Sequence, residues 1–425
     1  MAPGDRVGRA RVPAPRRSDE DPLRVLHVAQ PVGGGVAEYV AEVAIDQARR
    51  GWRVTVAGPP HGTVRRRLDD AGVGVHLHPW SAGRGRARRR DVNALRELVA
   101  SAAPDVVHLH SSTAGLAGRL AVRGRIPTIF QPHAWAWQAV GPRLAPILQA
   151  GERFALRWTS AVVCVGGEEA AAGRRAGLGR RIQVIRSGVD LERFRAANVE
   201  ERVVTRAHLG LPASAPVVLC VGRCTRQKGQ DVLVAAWPRV RAACPDAVLV
   251  LVGDIQGDGV RIAGAEGGIR QWGAVEDVRP WYVAADVVAA PSRWEGLALT
   301  ALEAMACGRP VVASDVAGLR EILRADPLRF DVGTLVPPTD PRALADALVA
   351  RLHDGAARRR EGVAARRRAE DFDVRVTNDE LAALTSELAR HRSAGRFRTG
   401  RSASGTPART RGSGCTPTPR SGSSR

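Results

Sequence analysis

Two carboxylates, Glu295 and Glu303, stand eight residues apart in the stretch ADVVAAPSRWEGLALTALEAMACGRPVVASDVAGLRE, residues 285–321. The apolar, β-branched run at 287–290 predicts a buried strand. The helix formers of 299–306, stopped by Gly308 and Pro310, predict a helix. Glu295 falls in the loop between them, and Glu303 about one turn inside the helix. The first backbone N–H groups of that helix, from Gly296 through Leu297, Ala298 and Leu299, lack intrahelical partners and lie at the positive end of its dipole. Such amides make a seat for a phosphate. A carboxylate on each side suits hydroxyls that flank the phosphate, and a nucleotide sugar has that layout, ribose on one side and hexose on the other. Either acid alone reads equally well as a helix cap or a solvated charge.

Residues 221–231, VGRCTRQKGQD, form a second cluster, with Arg223 and then Lys228 between a strand and a helix. Lys228 is the only lysine in the chain. Where every other cation is Arg, one Lys marks a place for a compact ammonium rather than a planar fork. Gly33-Gly34-Gly35 also joins a strand to a helix. A dinucleotide site would need a third glycine where Glu38 stands and an acid after the second strand, where Ala57-Gly58-Pro59 stands. His133 follows the carboxyl end of a strand at 128–131, and His110 ends another strand, at 106–110, where it faces an acceptor. The pairs His76/His78 and His108/His110 each put two imidazoles on one strand face, the beginning of a metal site. No Cys, Asp or third His is spaced to complete either, so no metal is expected. Asp371-Phe372-Asp373 has the D-x-D form of a metal-binding motif but lies between two helical stretches rather than at a strand end.

In combination these residues resemble family four of the retaining glycosyltransferases with the GT-B fold, over about residues 22–390. The resemblance implies that Arg223 and Lys228 grip the donor's diphosphate, Glu303 holds its ribose hydroxyls, and Glu295 contacts its sugar. It also implies that His133 faces the transferred sugar near the reacting carbon, and that Gly34 and Gly35 bring bare backbone to the donor phosphate and the acceptor. Two positions depart from the family pattern: Leu297-Ala298 replaces Phe-Gly, and Ser187 replaces Asn in the junction RSGVDLERF. The implied reaction moves a sugar from a nucleotide-sugar donor to a hydroxyl of a glycan, lipid-linked or small-molecule acceptor, retaining configuration, without cofactor or metal. Cell-envelope or exopolysaccharide biosynthesis is the implied setting. A nucleotide-sugar epimerase and a non-catalytic sugar-nucleotide-binding protein share the scaffold as alternatives.

Strand signals at 23–29, 53–58, 73–78, 106–110, 128–131, 161–165 and 182–185 alternate with helical stretches, and a second alternation runs through 217–221, 247–252, 268–272, 287–290, 311–313 and 333–336. The fold class is therefore α/β, two Rossmann-like, doubly wound parallel-sheet domains facing a cleft. The expected division is an N-terminal segment 1–21 without order, an acceptor domain 22–185, a donor domain 186–370, a helix 371–390 crossing back to the first domain, and a disordered basic tail 391–425.

With 425 residues, 44% hydrophobic and 25% charged, the chain has the length and composition of two soluble domains. It has no apolar run of membrane-spanning length and no secretory signal. Six cysteines without a C-x-x-C pair read as buried thiols in a reducing cytoplasm. The net charge of +21 raises nucleic-acid binding, but eight arginines crowd into the last 35 residues and the rest are interleaved with acids, so no nucleic acid is expected. A cluster of Arg84, Arg86, Arg88, Arg89 and Arg90 on the acceptor half suits anionic headgroups at the inner face of the plasma membrane.

Overall fold

A computed structural model describes residues 21–82, 88–255, 266–324 and 332–393. Strands β1 (Arg24–Ala29), β2 (Arg53–Gly58), β3 (His76–Pro79), β4 (Val106–His110), β5 (Thr128–Gln131), β6 (Ala161–Cys164) and β7 (Ile182–Val184) form one sheet in the order β3-β2-β1-β4-β5-β6-β7. Strands β8 (Val217–Val221), β9 (Val248–Val252), β10 (Ile269–Trp272), β11 (Val287–Ala290), β12 (Val311–Ser314) and β13 (Gly333–Val336) form another, ordered β10-β9-β8-β11-β12-β13. Every pairing in both is parallel. Strands covered by helices on both faces carry apolar side chains in both directions, which is why β9 reads VLVLV and is buried throughout. The expected third strand starts later than 73, because Val75 N–H turns back to the Val73 carbonyl at 2.8 Å and so delays entry into the ladder.

The strand order reverses between β1 and β4 in the first sheet and between β8 and β11 in the second. Ligands bind beyond the carboxyl ends of the strands at such reversals. Gly34 follows β1, His110 ends β4, Arg223 follows β8 and Glu295 follows β11. The topology thus brings the chemically equipped loops of both sheets to their switch points.

Two tethers hold the halves together. Glu321 accepts the Gly167 and Glu168 N–H groups at 2.9 and 3.3 Å, capping the helix Gly167–Arg175 from across the interface, and pairs with Arg186 at 3.2 Å. Arg320 beside it reaches Glu168 at 3.1 Å. At the hinge, Val189 N–H donates to the Phe372 carbonyl at 2.7 Å and Val374 N–H to the Val189 carbonyl at 3.1 Å. Gly188 is required there, because a Cβ would lie 2.4 Å from Val374 Cα. The helix Val374–Ser393 then runs back over the first sheet and buries Leu381, Leu384 and Ala389 with Leu23, Val25, Val106 and Ile129. It continues past the expected end at 390; otherwise the segments expected to lack order lie outside the described residues, except Asp21. Cys164, Cys220, Cys224, Cys244 and Cys307 are buried and outside any disulfide, and Cys415 lies outside the described residues. Among the described residues no helix is long and apolar enough to cross a membrane.

Candidate functional site

On the side of the second sheet, the loops after β8 and β11 are stitched together. Arg293 N–H donates to the Gln227 carbonyl at 2.8 Å, Gln227 Nε2 to the Trp294 carbonyl at 3.1 Å, and the Arg293 guanidinium forks onto Asp231 at 2.8 and 2.6 Å. Gly222 and Gly229 take the positive φ values these turns need, 146° and 69°, and a Cβ on Gly229 would lie 2.0 Å from the Pro291 carbonyl oxygen. The stitching sets Lys228 Nζ 2.6 Å from Glu295 Oε1, which also accepts from Ser292 Oγ at 2.7 Å. Glu295 is buried, while Lys228 keeps a partly open ammonium. The ammonium and the buried carboxylate therefore form one charged unit beside the helix Leu299–Ala306. Ala298 caps that helix without any side-chain oxygen, so its first amides stay available to an anion.

Glu303 is half-buried on the same helix and accepts from Tyr282 Oη at 2.8 Å. Desolvation raises its pKa to about 7, against the lowering effect of the Tyr282 hydrogen bond. It lines a cavity shared by both halves, with Tyr39, Arg193, Leu299 and Thr377 around it.

The facing wall belongs to the first sheet. Gly34 is exposed at φ 83° and opens the helix Gly35–Arg49; a Cβ there would lie 3.3 Å from Arg223 Nε, so the guanidinium crosses the cleft onto bare backbone. Gly35 lies similarly against Leu299, and Gly296 against the His133 carbonyl, where a Cβ would come within 2.7 Å. His133 and Ala134 carry φ of 57° and 147°, and Ser111 after β4 carries 71°. Positive φ at three non-glycine residues around one opening is strain of the kind that concentrates at binding sites.

The structure brings the expected residues Arg223, Lys228, Glu295, Glu303 and 296–299 together on the side of the second sheet, and Gly34, Gly35 and His133 approach them from the first. His110 is the correction. It is 0% exposed, because strand alternation turns it inward under the helix Gly35–Arg49, and it supports His133 from behind, His110 Nδ1 lying 3.1 Å from His133 Nε2. His108 and His110 also gain the third histidine that spacing alone did not supply. Parallel register places His27 opposite His108, and ring nitrogens of His27, His108 and His110 lie within 4.8 Å of one another. The His108 and His110 rings are tilted by 33° against each other with centroids 4.0 Å apart, and His27 Nδ1 meets His110 Nε2 at hydrogen-bonding distance, 3.1 Å. Asp371 and Asp373 are engaged by Arg368 and Arg375 at 2.8 and 2.6 Å. Arg84 and Arg86 lie outside the described residues, while Arg88, Arg89 and Arg90 are exposed at the start of the helix Arg89–Ala102.

Sequence reasoning missed Ser292, Tyr282, His27 and Gln47. Ser292 had a signal, sitting three residues before Glu295 in the same loop, and His27 interrupts the apolar run 25–29. Tyr282 and Gln47 reach the site only through helix packing.

Residues 33–193 match the model of the family described as Glycosyltransferase Family 4, and residues 215–354 that described as Glycosyl transferases group 1. The chain is 34% identical to the D-inositol 3-phosphate glycosyltransferase of Xylanimonas cellulosilytica, over 84% of this chain and 91% of that protein. It is 35% identical to a GDP-mannose-dependent monoacylated alpha-(1-6)-phosphatidylinositol monomannoside mannosyltransferase of Corynebacterium glutamicum, over 42% of this chain and 49% of the relative. Among solved structures, Anabaena Alr3699/HepE in complex with UDP and glucose has a TM-score of 0.72 at 21% identity, covering 86% of this chain and 99% of its own. WaaG, a glycosyltransferase involved in lipopolysaccharide biosynthesis, has a TM-score of 0.65 at 16% identity, covering 85% and 99%. At those identities the structural likeness is one of fold.

Proposed function

Because the chain belongs to glycosyltransferase family 4, group 1, with the GT-B fold, we propose that it moves a glycosyl group from a nucleotide sugar to an acceptor hydroxyl with retention of configuration and without a metal. The observation that carries this reading is the apposition of Arg223 to Gly34, of Leu299 at the uncapped start of its helix to Gly35, and of Gly296 to His133 across the cleft, with Lys228 held on the same side by Glu295. In the reaction the bond from the anomeric carbon to the diphosphate oxygen breaks and a bond from that carbon to the acceptor oxygen forms. The acceptor's proton passes to the departing phosphate on the same face of the sugar, so no enzymic nucleophile is needed. Negative charge grows on the diphosphate as it leaves, and Arg223, Lys228 and the helix amides bind it more strongly then than in the ground state. Glu303 holds the ribose, and Glu295 and His133 orient the sugar.

A glycan, a lipid-linked molecule or a small molecule fits the acceptor side. The names of the relatives make inositol phosphate the first acceptor to try. For a lipid-linked acceptor, Arg88, Arg89 and Arg90 would rest on anionic headgroups at the inner face of the plasma membrane. Unchanged flotation with anionic liposomes after their neutralisation removes that contact. The main test incubates the protein with UDP-, GDP- and ADP-sugars and inositol phosphate or lipid-linked acceptors, then reads the product's anomeric configuration by NMR. Transfer with the donor's configuration supports the reading. An inverted product refutes retention, an epimerised donor favours an epimerase, and tight nucleotide binding without any product favours a binding protein.

A further inference from the structure

The histidines behind the cleft form a chain with a direction. Gln47, 1% exposed in the helix Gly35–Arg49, sets its Oε1 2.8 Å from His27 Nε2. A carboxamide oxygen only accepts, so His27 Nε2 carries the hydrogen, and a neutral imidazole then leaves Nδ1 bare. His27 Nδ1 lies 3.1 Å from His110 Nε2, so that nitrogen donates and His110 Nδ1 is bare in turn. His110 Nδ1 lies 3.1 Å from His133 Nε2, which must donate, leaving Nδ1 as the lone-pair nitrogen of His133.

The deduction requires one proton per ring, and burial enforces it. Desolvation lowers His27 to about 4 and His133 to about 3, and holds His110 well below the ordinary imidazole range. His27 and His110 are both 0% exposed, so His133, half-buried, is the member that meets the cleft. Tyr39 holds the His133 ring edge-on, centroids 5.0 Å apart, while His108 packs tilted against His110 outside the hydrogen-bonded chain.

We propose that Gln47 is a positioning residue: acting through His27 and His110, it holds His133 in the Nε2–H form, so that the ring offers its Nδ1 lone pair to a hydroxyl of the ligand in the cleft. That the hydroxyl belongs to a sugar rests on the glycosyl-transfer reading; the tautomer does not. A residue about three side chains from the reacting atoms would thereby decide whether His133 accepts or donates.

The test reads the tautomers directly, in the free protein labelled with nitrogen-15 histidine, by long-range proton–nitrogen correlation near neutral pH. His27, His110 and His133 are each expected to carry their proton on Nε2. A His133 protonated on Nδ1, or an even mixture of the two forms, overturns the proposal without any variant. One substitution then tests the positioning role. Gln47→Met keeps the length of the side chain but removes the acceptor, lets the Nδ1–H form appear and lowers kcat/KM about five- to tenfold. A folded Gln47→Met protein with an unchanged His133 tautomer and wild-type kcat/KM also overturns it. Because the tautomer is read without substrate, failure of every donor to react would count against glycosyl transfer and leave this inference standing.

Discussion

Lys228 is where one side chain decides most. Its Nζ sits 2.6 Å from Glu295 Oε1, an oxygen it shares with Ser292 Oγ, which suits a compact ammonium rather than a planar fork. Lys228→Gln is expected to lower kcat by about 10²–10³, the usual cost of losing one donor to a developing anion. Lys228→Arg keeps the charge and should rescue little of it; steady-state kinetics on the best donor checks both, and full rescue by Arg would show that charge alone suffices. Glu303 makes a pH prediction. With its pKa raised to about 7 it ionises across neutrality, and ribose hydroxyls donate better to the carboxylate than to the neutral acid. Nucleotide affinity should therefore rise with pH through about 7 and level off above it. The folded form holds this proton more tightly than the unfolded chain, so the stability it contributes is full below about 4.5 and is lost as pH rises through about 7. Glu303→Gln should flatten the affinity curve, as isothermal titration at several pH values would show. That these residues come together was legible because type and spacing carried it: a solitary lysine, two acids eight apart, glycines after strands. The burial of His110 was not, since a histidine at a strand's carboxyl end reads the same whether it meets the cleft or stands behind another.

Among the elements, the loops work because backbone replaces side chain where the two walls meet. Gly318, in the helix Ala317–Leu323, packs against the Gly296 carbonyl, and a Cβ there would lie 2.4 Å from that oxygen and 3.1 Å from the Glu295 carbonyl oxygen. On helix propensity alone Gly318→Ala should stabilise by up to about 1 kcal/mol. The clash reverses the sign: a net loss of about 1–3 kcal/mol is expected, with an activity loss larger than that stability change accounts for, because the displaced carbonyls belong to the Glu295–Gly296 corner. Chemical denaturation and kinetics on the same variant check both parts; a more stable, fully active protein would mean the corner yields freely. Strand positions were nearly all legible, since buried parallel strands announce themselves as short β-branched runs. Pairing was not. That His27 lies opposite His108, or that Glu321 caps a helix of the other half, depends on register and on how two domains meet, and neither leaves a local trace in the chain.

The whole molecule is tied by a helix that sequence order assigns to one half and packing to the other. Helix Val374–Ser393 follows the second sheet, yet its Leu381, Leu384 and Ala389 complete the core beneath the first, with Leu23, Val25, Ile129 and Val163. Arg50 fastens it to that half through Asp379 at 2.6 Å. A first domain cut out at the hinge would therefore expose one face of its sheet, and a face of that kind costs more than a domain's few kcal/mol of net stability leaves to spare. Residues 21–186 alone are expected to lack cooperative unfolding and to bind hydrophobic dyes. The same residues joined by a flexible linker to 373–393 should unfold in a single transition. Calorimetry of the two chains decides the matter: a sharp transition in the shorter one would show that the first sheet needs no cover. Leu381→Ala in the full chain, at a side chain 0% exposed, should cost about 2–5 kcal/mol. Because the helix leaves the hinge directly beside the Val189–Phe372 contact, that loss should also loosen closure of the cleft, raising KM for the donor more than it lowers kcat.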